Sequence, residues 1–135
     1  MSDFSGRTGL IVGVAHKRSL AWAIAQQADA AGARLVLTYQ NDRLKENVDE
    51  LATQLKTPPI LLPCDVSRDD DITHLFESLD AQCDGLDFVV HGAAFAPRES
   101  LSAPFLETSR EAFRIALDIS AYSLIAMARG AAPSR

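Results

Sequence analysis

Short apolar runs rich in branched residues alternate along this chain with amphipathic helical stripes, one pair about every 25 residues, and few architectures accept that rhythm. Residues 8–14 (TGLIVGV) read as a strand buried on both faces, and Arg34–Tyr39 (RLVLTY), residues 60–64 (ILLPC) and residues 86–91 (LDFVVH) as further short strands. After the first, Leu20, Ile24, Ala28 and Ala31 recur at helical spacing, with Gly32 placed to end a helix in a left-handed cap. Leu44, Val48, Leu51 and Leu55 form one stripe, so residues 42–55 are expected to be a helix, stopped by Pro58 and Pro59. Ser67 and Asp70 make a capping-box pattern ahead of Ile72, Leu75, Phe76 and Leu79, and Gly85 ends that third helix. Thr108 with Glu111 is expected to cap a last long helix running to about Arg129. On it Phe113, Leu117, Leu124 and Met127 form one apolar stripe, and Ile115, Ile119 and Tyr122 a second. Strict strand and helix alternation builds right-handed βαβ units, hence a parallel sheet with helices on both faces and the α/β class.

At 135 residues the chain fits one domain. Its composition, 47% hydrophobic and 23% charged with a net charge of −5, suits a globular protein and argues against a nucleic-acid partner. Cys64 and Cys83 lack the spacing of a metal or redox motif and are expected to be free thiols; no metal site is expected. Residues 1–7 lack the layout of a signal peptide, and no apolar run approaches the ~20 residues that span a bilayer. A cytoplasmic, non-membrane protein is therefore expected.

Two kinds of α/β protein compete at this size. A phosphorylated receiver domain would place an aspartate where Asp65 follows the third strand, but it needs an acidic cluster after the first strand, and that position reads Gly13-Val14-Ala15. A nucleotide-binding sheet uses the same first turn differently, offering backbone N–H groups and a helix dipole to a pyrophosphate. Gly13 alone remains of the usual glycine pattern, and a simple strand-to-helix turn needs one flexible residue as well. Ser19 suits a helix cap or a phosphate ligand equally, because both roles put its oxygen near the same donors. At the end of the second strand an acid usually binds the adenosine ribose; here Gln40 stands, with Arg43 three residues on, which leaves NADH and NADPH both open. Asp65, with Val66, suits an adenine contact or a cap on the next helix.

Taken together, Gly13-Val14-Ala15, Arg18-Ser19-Leu20-Ala21-Trp22, Thr38-Tyr39-Gln40 and Cys64-Asp65-Val66 resemble the bacterial enoyl-acyl-carrier-protein reductases, divergent short-chain dehydrogenases. Asp87-Phe88-Val89-Val90-His91, Ala94-Phe95-Ala96-Pro97 and residues 114–123 (RIALDISAYS) are similar to the same family and more specific than any glycine turn. The resemblance covers essentially the whole chain and implies a Rossmann-like, doubly wound sheet of four parallel strands in order 3-2-1-4. It implies a cofactor cleft of Gly13, Ser19, Leu20, Gln40, Asp65, Val66 and Ala93, with Phe95 and Ala96 bordering an acyl substrate, and Gln40 then points to NADH. The substrate implied is an enoyl thioester on acyl carrier protein, reduced in fatty-acid biosynthesis, and the complete enzyme is expected to be a homo-oligomer.

The sequence departs from the family in two places. His91-Gly92-Ala93 stands where the family has His-Ser-Ile, an exchange expected to loosen local packing, and His91 is read as a structural histidine. The family's catalytic tyrosine and lysine, separated by six residues, have no equivalent here; Tyr122 and Arg129 share the spacing but fall on the last helix. The expectation is therefore residues 1–135 as a single, partial NAD-binding domain truncated before the catalytic segment, with no catalytic residue of its own. The competing readings are a binding or assembly module that docks onto complete subunits, and the surviving part of a longer protein.

Overall fold

The computed structural model describes residues 3–134. The strands are β1 (Thr8–Val12), β2 (Arg34–Tyr39), β3 (Ile60–Pro63) and β4 (Phe88–His91). All pair in parallel, in the order β3-β2-β1-β4. Helices α1 (Leu20–Ala30), α2 (Asp42–Ala52) and α3 (Asp69–Gln82) connect them, and α4 (Arg98–Ser102), α5 (Arg110–Leu117) and α6 (Ser123–Ala131) follow β4. The expected class and strand order are those found.

Alternate strand residues point to opposite faces, so the central strands feed two cores at once. Ile11, Leu35 and Leu37 pack with Trp22 and Ala25 of α1 and Val48 and Leu51 of α2 on one face. Leu10, Val12 and Val36 pack with Leu75, Phe76 and Leu79 of α3 and Met127 of α6 on the other. Every residue of β1 after Thr8 and of β2 after Arg34 is buried, which explains why these stretches do not alternate apolar and polar. Asp29, buried near the end of α1, accepts hydrogen bonds from the amides of Lys56 (2.8 Å) and Thr57 (3.2 Å), tying down the turn before β3. Gly32 follows α1 with φ 98°, as expected of a left-handed cap.

Several local expectations are corrected. β1 stops at Val12, β3 at Pro63, and α2 at Ala52, although Leu55 still reaches the core. No capping box starts α3: Arg68 occupies the N-cap position without a side-chain bond, and the Ser67 hydroxyl instead donates to Asp65 Oδ1 (2.6 Å). Three aspartates, Asp69 to Asp71, lie in the first turn, where the helix dipole favours negative charge.

The expected last helix is broken up. A 3-10 turn (Phe105–Glu107) follows α4, and α5 is capped by Ser109, which accepts from the Ala112 amide at 3.0 Å. Thr108 donates its hydroxyl to the Phe105 carbonyl, and Glu111 pairs with Arg114. Between α5 and α6 the helix widens into a π turn, Asp118–Tyr122. There Ser123 donates to the Ile119 carbonyl at 2.6 Å, a serine back-bond of the kind that bends helices. The wider turn offsets the two apolar stripes: Met127 is fully buried, while Phe113, Leu117 and Leu124 stay exposed. Among the described residues, no helix is long and apolar enough to cross a membrane.

Candidate functional site

Because all the strands run in parallel, the turns that leave them meet at one edge. Strand order reverses between β1, which leads to β2, and β4 on its other side, and that switch point is where open α/β sheets form a crevice. A cleft of about 240 Å³ lies there. Gly13 and Ala15 line it from the turn after β1, Gln40 from the turn after β2, Leu44 from the first turn of α2, and Asp65 and Val66 from the turn after β3. The segment after β4 contributes Gly92, Ala93, Ala94 and Phe95, and Ile119 of the π turn closes the end.

Six of the nine residues singled out in the sequence thus share one cleft: Gly13, Gln40, Asp65, Val66, Ala93 and Phe95. Ser19 and Leu20 stand outside its lining, and Ala96 lines a neighbouring apolar groove together with Phe95. Leu20 is largely exposed at the start of α1.

Ser19 sits at the N-cap position of α1 without a side-chain bond to that helix. Its Oγ accepts from the amides of Ala15 (3.1 Å) and His16 (3.2 Å), which folds the turn after β1 back on itself. With both hydroxyl lone pairs so used, its remaining capacity is to donate its proton. Gly13 adopts φ 108°, and a Cβ there would run into the Gly92 backbone. A Cβ on Gly92 would in turn lie 2.7 Å from the Val12 carbonyl oxygen and 3.0 Å from Ala21 Cβ, while the Gly92 amide donates to that carbonyl at 2.8 Å. The expectation of looser packing at His91-Gly92-Ala93 is therefore wrong: the two turns touch through their backbones, and the absence of a side chain permits the approach.

Asp65 does not cap α3. Its Oδ1 accepts from the amide and hydroxyl of Ser67, and its own amide donates to Asp71 at 2.9 Å. Gln40 is exposed at the cleft, and the neighbouring Asn41, not Gln40, caps α2 by accepting from the Leu44 amide. Cys64 lines the cleft with its thiol pushed up to about 12, first by burial and then by the negative charges of Asp71 and Asp65. A thiol held neutral in this way is no nucleophile.

His91 lies 2.7 Å through Nε2 from Ser123 Oγ. Since Ser123 gives its proton to the Ile119 carbonyl, the imidazole must be the donor, in the tautomer carrying Nε2–H. That is a satisfied structural histidine, as its sequence context implied. Tyr122 is outside the cleft and accepts from Arg129 Nη1 at 3.4 Å, which accounts for the spacing of the pair without catalysis. Leu44, Cys64, Ala94 and Ile119 were missed; the only signal for Ile119 was its place beside two serines three residues apart, which periodicity does not register.

Fold and crevice together define a Rossmann-like α/β protein with its site at the topological switch point. The family model described as enoyl-(acyl carrier protein) reductase matches residues 13–135, and the chain belongs to that family. It is 43% identical over 132 residues to the NADH enoyl-acyl-carrier-protein reductase FabI of Bacillus cereus, a match spanning 97% of this chain and 52% of that one. Among solved structures it superimposes on the Bacillus cereus enoyl-acyl carrier protein reductase with NADP+ and indole naphthyridinone (TM-score 0.95, 42% identity), covering 99% of this chain and 52% of that one. The corresponding reductase of Anaplasma phagocytophilum in complex with NAD gives a TM-score of 0.91 at 38% identity, covering 96% and 50%. The chain spans about half the length of the relatives it matches.

Proposed function

We propose that the complete protein is a cytoplasmic, NADH-dependent oxidoreductase that saturates enoyl thioesters carried on acyl carrier protein in fatty-acid biosynthesis. Residues 1–135 are its cofactor-binding half, a single partial NAD-binding domain. The observation that carries this reading is the cleft at the switch point, into which Gly13, Gln40, Asp65, Val66 and Ala93 converge from the turns after all four strands.

The residues fit a dinucleotide. Gly13 lets the backbone after β1 approach a pyrophosphate, because no Cβ is tolerated there. Ser19, able only to donate, suits an anionic phosphate oxygen rather than a cation. The Gln40 amide bonds the adenosine ribose without adding charge. Asp65 keeps one carboxylate oxygen beyond its bonds to Ser67, and with the Val66 amide it suits the donor and acceptor of an adenine edge. Leu20 flanks the phosphates, and Ala93 borders the nicotinamide end. Phe95 and Ala96 face the acyl chain along an apolar groove of about 480 Å³ that also includes Leu101, Phe113 and Leu117. When bound, the cofactor supplies the hydride; these residues bind it, orient it and keep water from the apolar side.

Only part of a cofactor has walls in this chain. NADH is expected to bind the isolated 135 residues saturably but several kcal/mol more weakly than a complete reductase, at about 1.4 kcal/mol per tenfold. Calorimetry tests this, and a titration to millimolar NADH with no saturable heat contradicts it.

A second reading, an assembly module that docks onto reductase subunits, is favoured by the sheet edge. Among the described residues β4 pairs only with β1, and an apolar groove of about 380 Å³ runs beside it, lined by Phe88, Val89, Leu124 and Ala128 among others. Unpaired apolar edges recruit partners, so the chain is expected to form homo-oligomers at micromolar concentration. A purely monomeric sedimentation profile argues against both this surface and the module.

A further inference from the structure

Ser120 of the π turn and Ser123, which follows that turn as the first residue of α6, turn their side chains to the segment after β4 and to the end of β4 respectively. Ser123 is fully buried and takes up His91, the last residue of the strand. Ser120 reaches four residues further along. Its Oγ accepts from the Phe95 amide at 2.9 Å and donates to the Phe95 carbonyl at 3.0 Å, so one hydroxyl satisfies both backbone groups of one residue. No strand or helix holds that segment, which lies between β4 and α4. The Ser120 bonds and the Gly92 amide bond to Val12 are what fix its course.

The segment separates two cavities. Ala94 and Phe95 line the switch-point cleft on one side and the apolar groove of Leu101, Phe113 and Leu117 on the other. The π turn itself faces both: Ile119 closes the cleft and Ser120 lines the groove. π turns recur at functional sites.

We propose that Ser120 is a positioning residue, which clamps the Phe95 backbone so that the wall between nucleotide cleft and acyl groove stands at the right place for hydride donor and acceptor to meet. The inference rests on the cofactor reading above and adds to it a residue that acts through the Phe95 backbone. Gln40 and Asp65 lie at the opposite end of the cleft, beyond β1 and β2, so the clamp governs the nicotinamide end and leaves the adenosine end alone.

The test compares the 135-residue chain with its Ser120→Ala and Ser120→Thr variants in two measurements. In amide exchange on ligand-free protein, Ser120→Ala is expected to speed exchange of the Phe95 amide about tenfold, the scale of one lost hydrogen bond. The Val36 amide of the central sheet should be unchanged, and threonine, which keeps the hydroxyl, should restore protection. In calorimetry, ADP, which reaches only the adenosine end, is expected to bind all three proteins within about twofold, while NADH binds Ser120→Ala about tenfold more weakly and Ser120→Thr almost normally. Unaltered exchange at Phe95, or unaltered NADH binding by Ser120→Ala, overturns the clamp. So does a parallel loss of ADP and NADH, which marks a merely structural serine. A wild-type chain that binds neither nucleotide defeats the cofactor reading, and the clamp falls with it.

Discussion

Assayed alone with NADH and a crotonyl thioester, the 135-residue chain is expected to oxidise no NADH above background. Hydride arriving at the β-carbon of an enoyl thioester drives negative charge onto the carbonyl oxygen, so the proposed reaction needs a donor there as well as a docked cofactor. Loss of one such donor typically costs about 10²–10³ in rate, and loss of the positioning of both reactants costs more. Neither tyrosine of the chain is placed for the role. Tyr39 is buried at the end of β2 behind α2, with Lys45 Nζ 5.8 Å from its ring centre. Tyr122 lies outside the cleft with its hydroxyl turned to Arg129. Arginine cannot stand in for the lysine, since it stays protonated at any working pH. Supplying, as a separate polypeptide, the half of a matching reductase that this chain does not span is expected to give turnover. Steady NADH oxidation by the purified chain alone would show that a donor lies among its own residues, with Tyr122 the first to replace by phenylalanine.

The largest loss of stability is expected from Gly13→Ala. The residue holds φ 108°, and the new Cβ would meet the Gly92 backbone, which is itself pinned by its amide bond to Val12. Strained dihedrals cost about 1–3 kcal/mol and overpacking a similar amount, so the sum is roughly 2–6 kcal/mol, a large share of the ~5–15 kcal/mol that holds a domain together. Gly6 provides the control, because its φ of 77° is also left-handed but nothing stands within 4 Å of where its Cβ would be. Gly6→Ala should therefore show the dihedral cost alone, about 1–2 kcal/mol. Denaturant unfolding of the two variants decides the matter. Equal losses would mean that the two turns are free to move apart, and that the close approach at the cleft is not a constraint.

Much of the architecture was legible because it is written in local patterns. Unbroken apolar runs such as RLVLTY can only be strands covered on both faces, and the Leu44, Val48 and Leu51 stripe can only be a one-sided helix, so alternation leads to a parallel sheet before any contact is known. Parallel strands send all their exits to one edge, which is why Gly13, Gln40 and Asp65 were identifiable as companions although dozens of residues separate them, whereas Ala93 came only from the family resemblance.

What only the tertiary structure decided are choices between chemically equivalent partners. Thr108 and Ser109 are adjacent potential caps; Thr108 spends its hydroxyl on the Phe105 carbonyl, and Ser109 takes the Ala112 amide. Asp65, Ser67 and Asp71 had several ways to share their bonds, and the turn after β3 chose one that leaves α3 without a capping box. The closeness of Gly13 to Gly92 and the grip of Ser120 on Phe95 join residues 79 and 25 positions apart. Just after the π turn, Ser123 accepts from a histidine on another element while donating back to Ile119, and beyond it Met127 is buried and Leu124 exposed. Periodicity reports which residues one segment must bury, but it carries no information on which distant backbone or side chain will be waiting. Those contacts exist only once the sheet has brought the strand ends together.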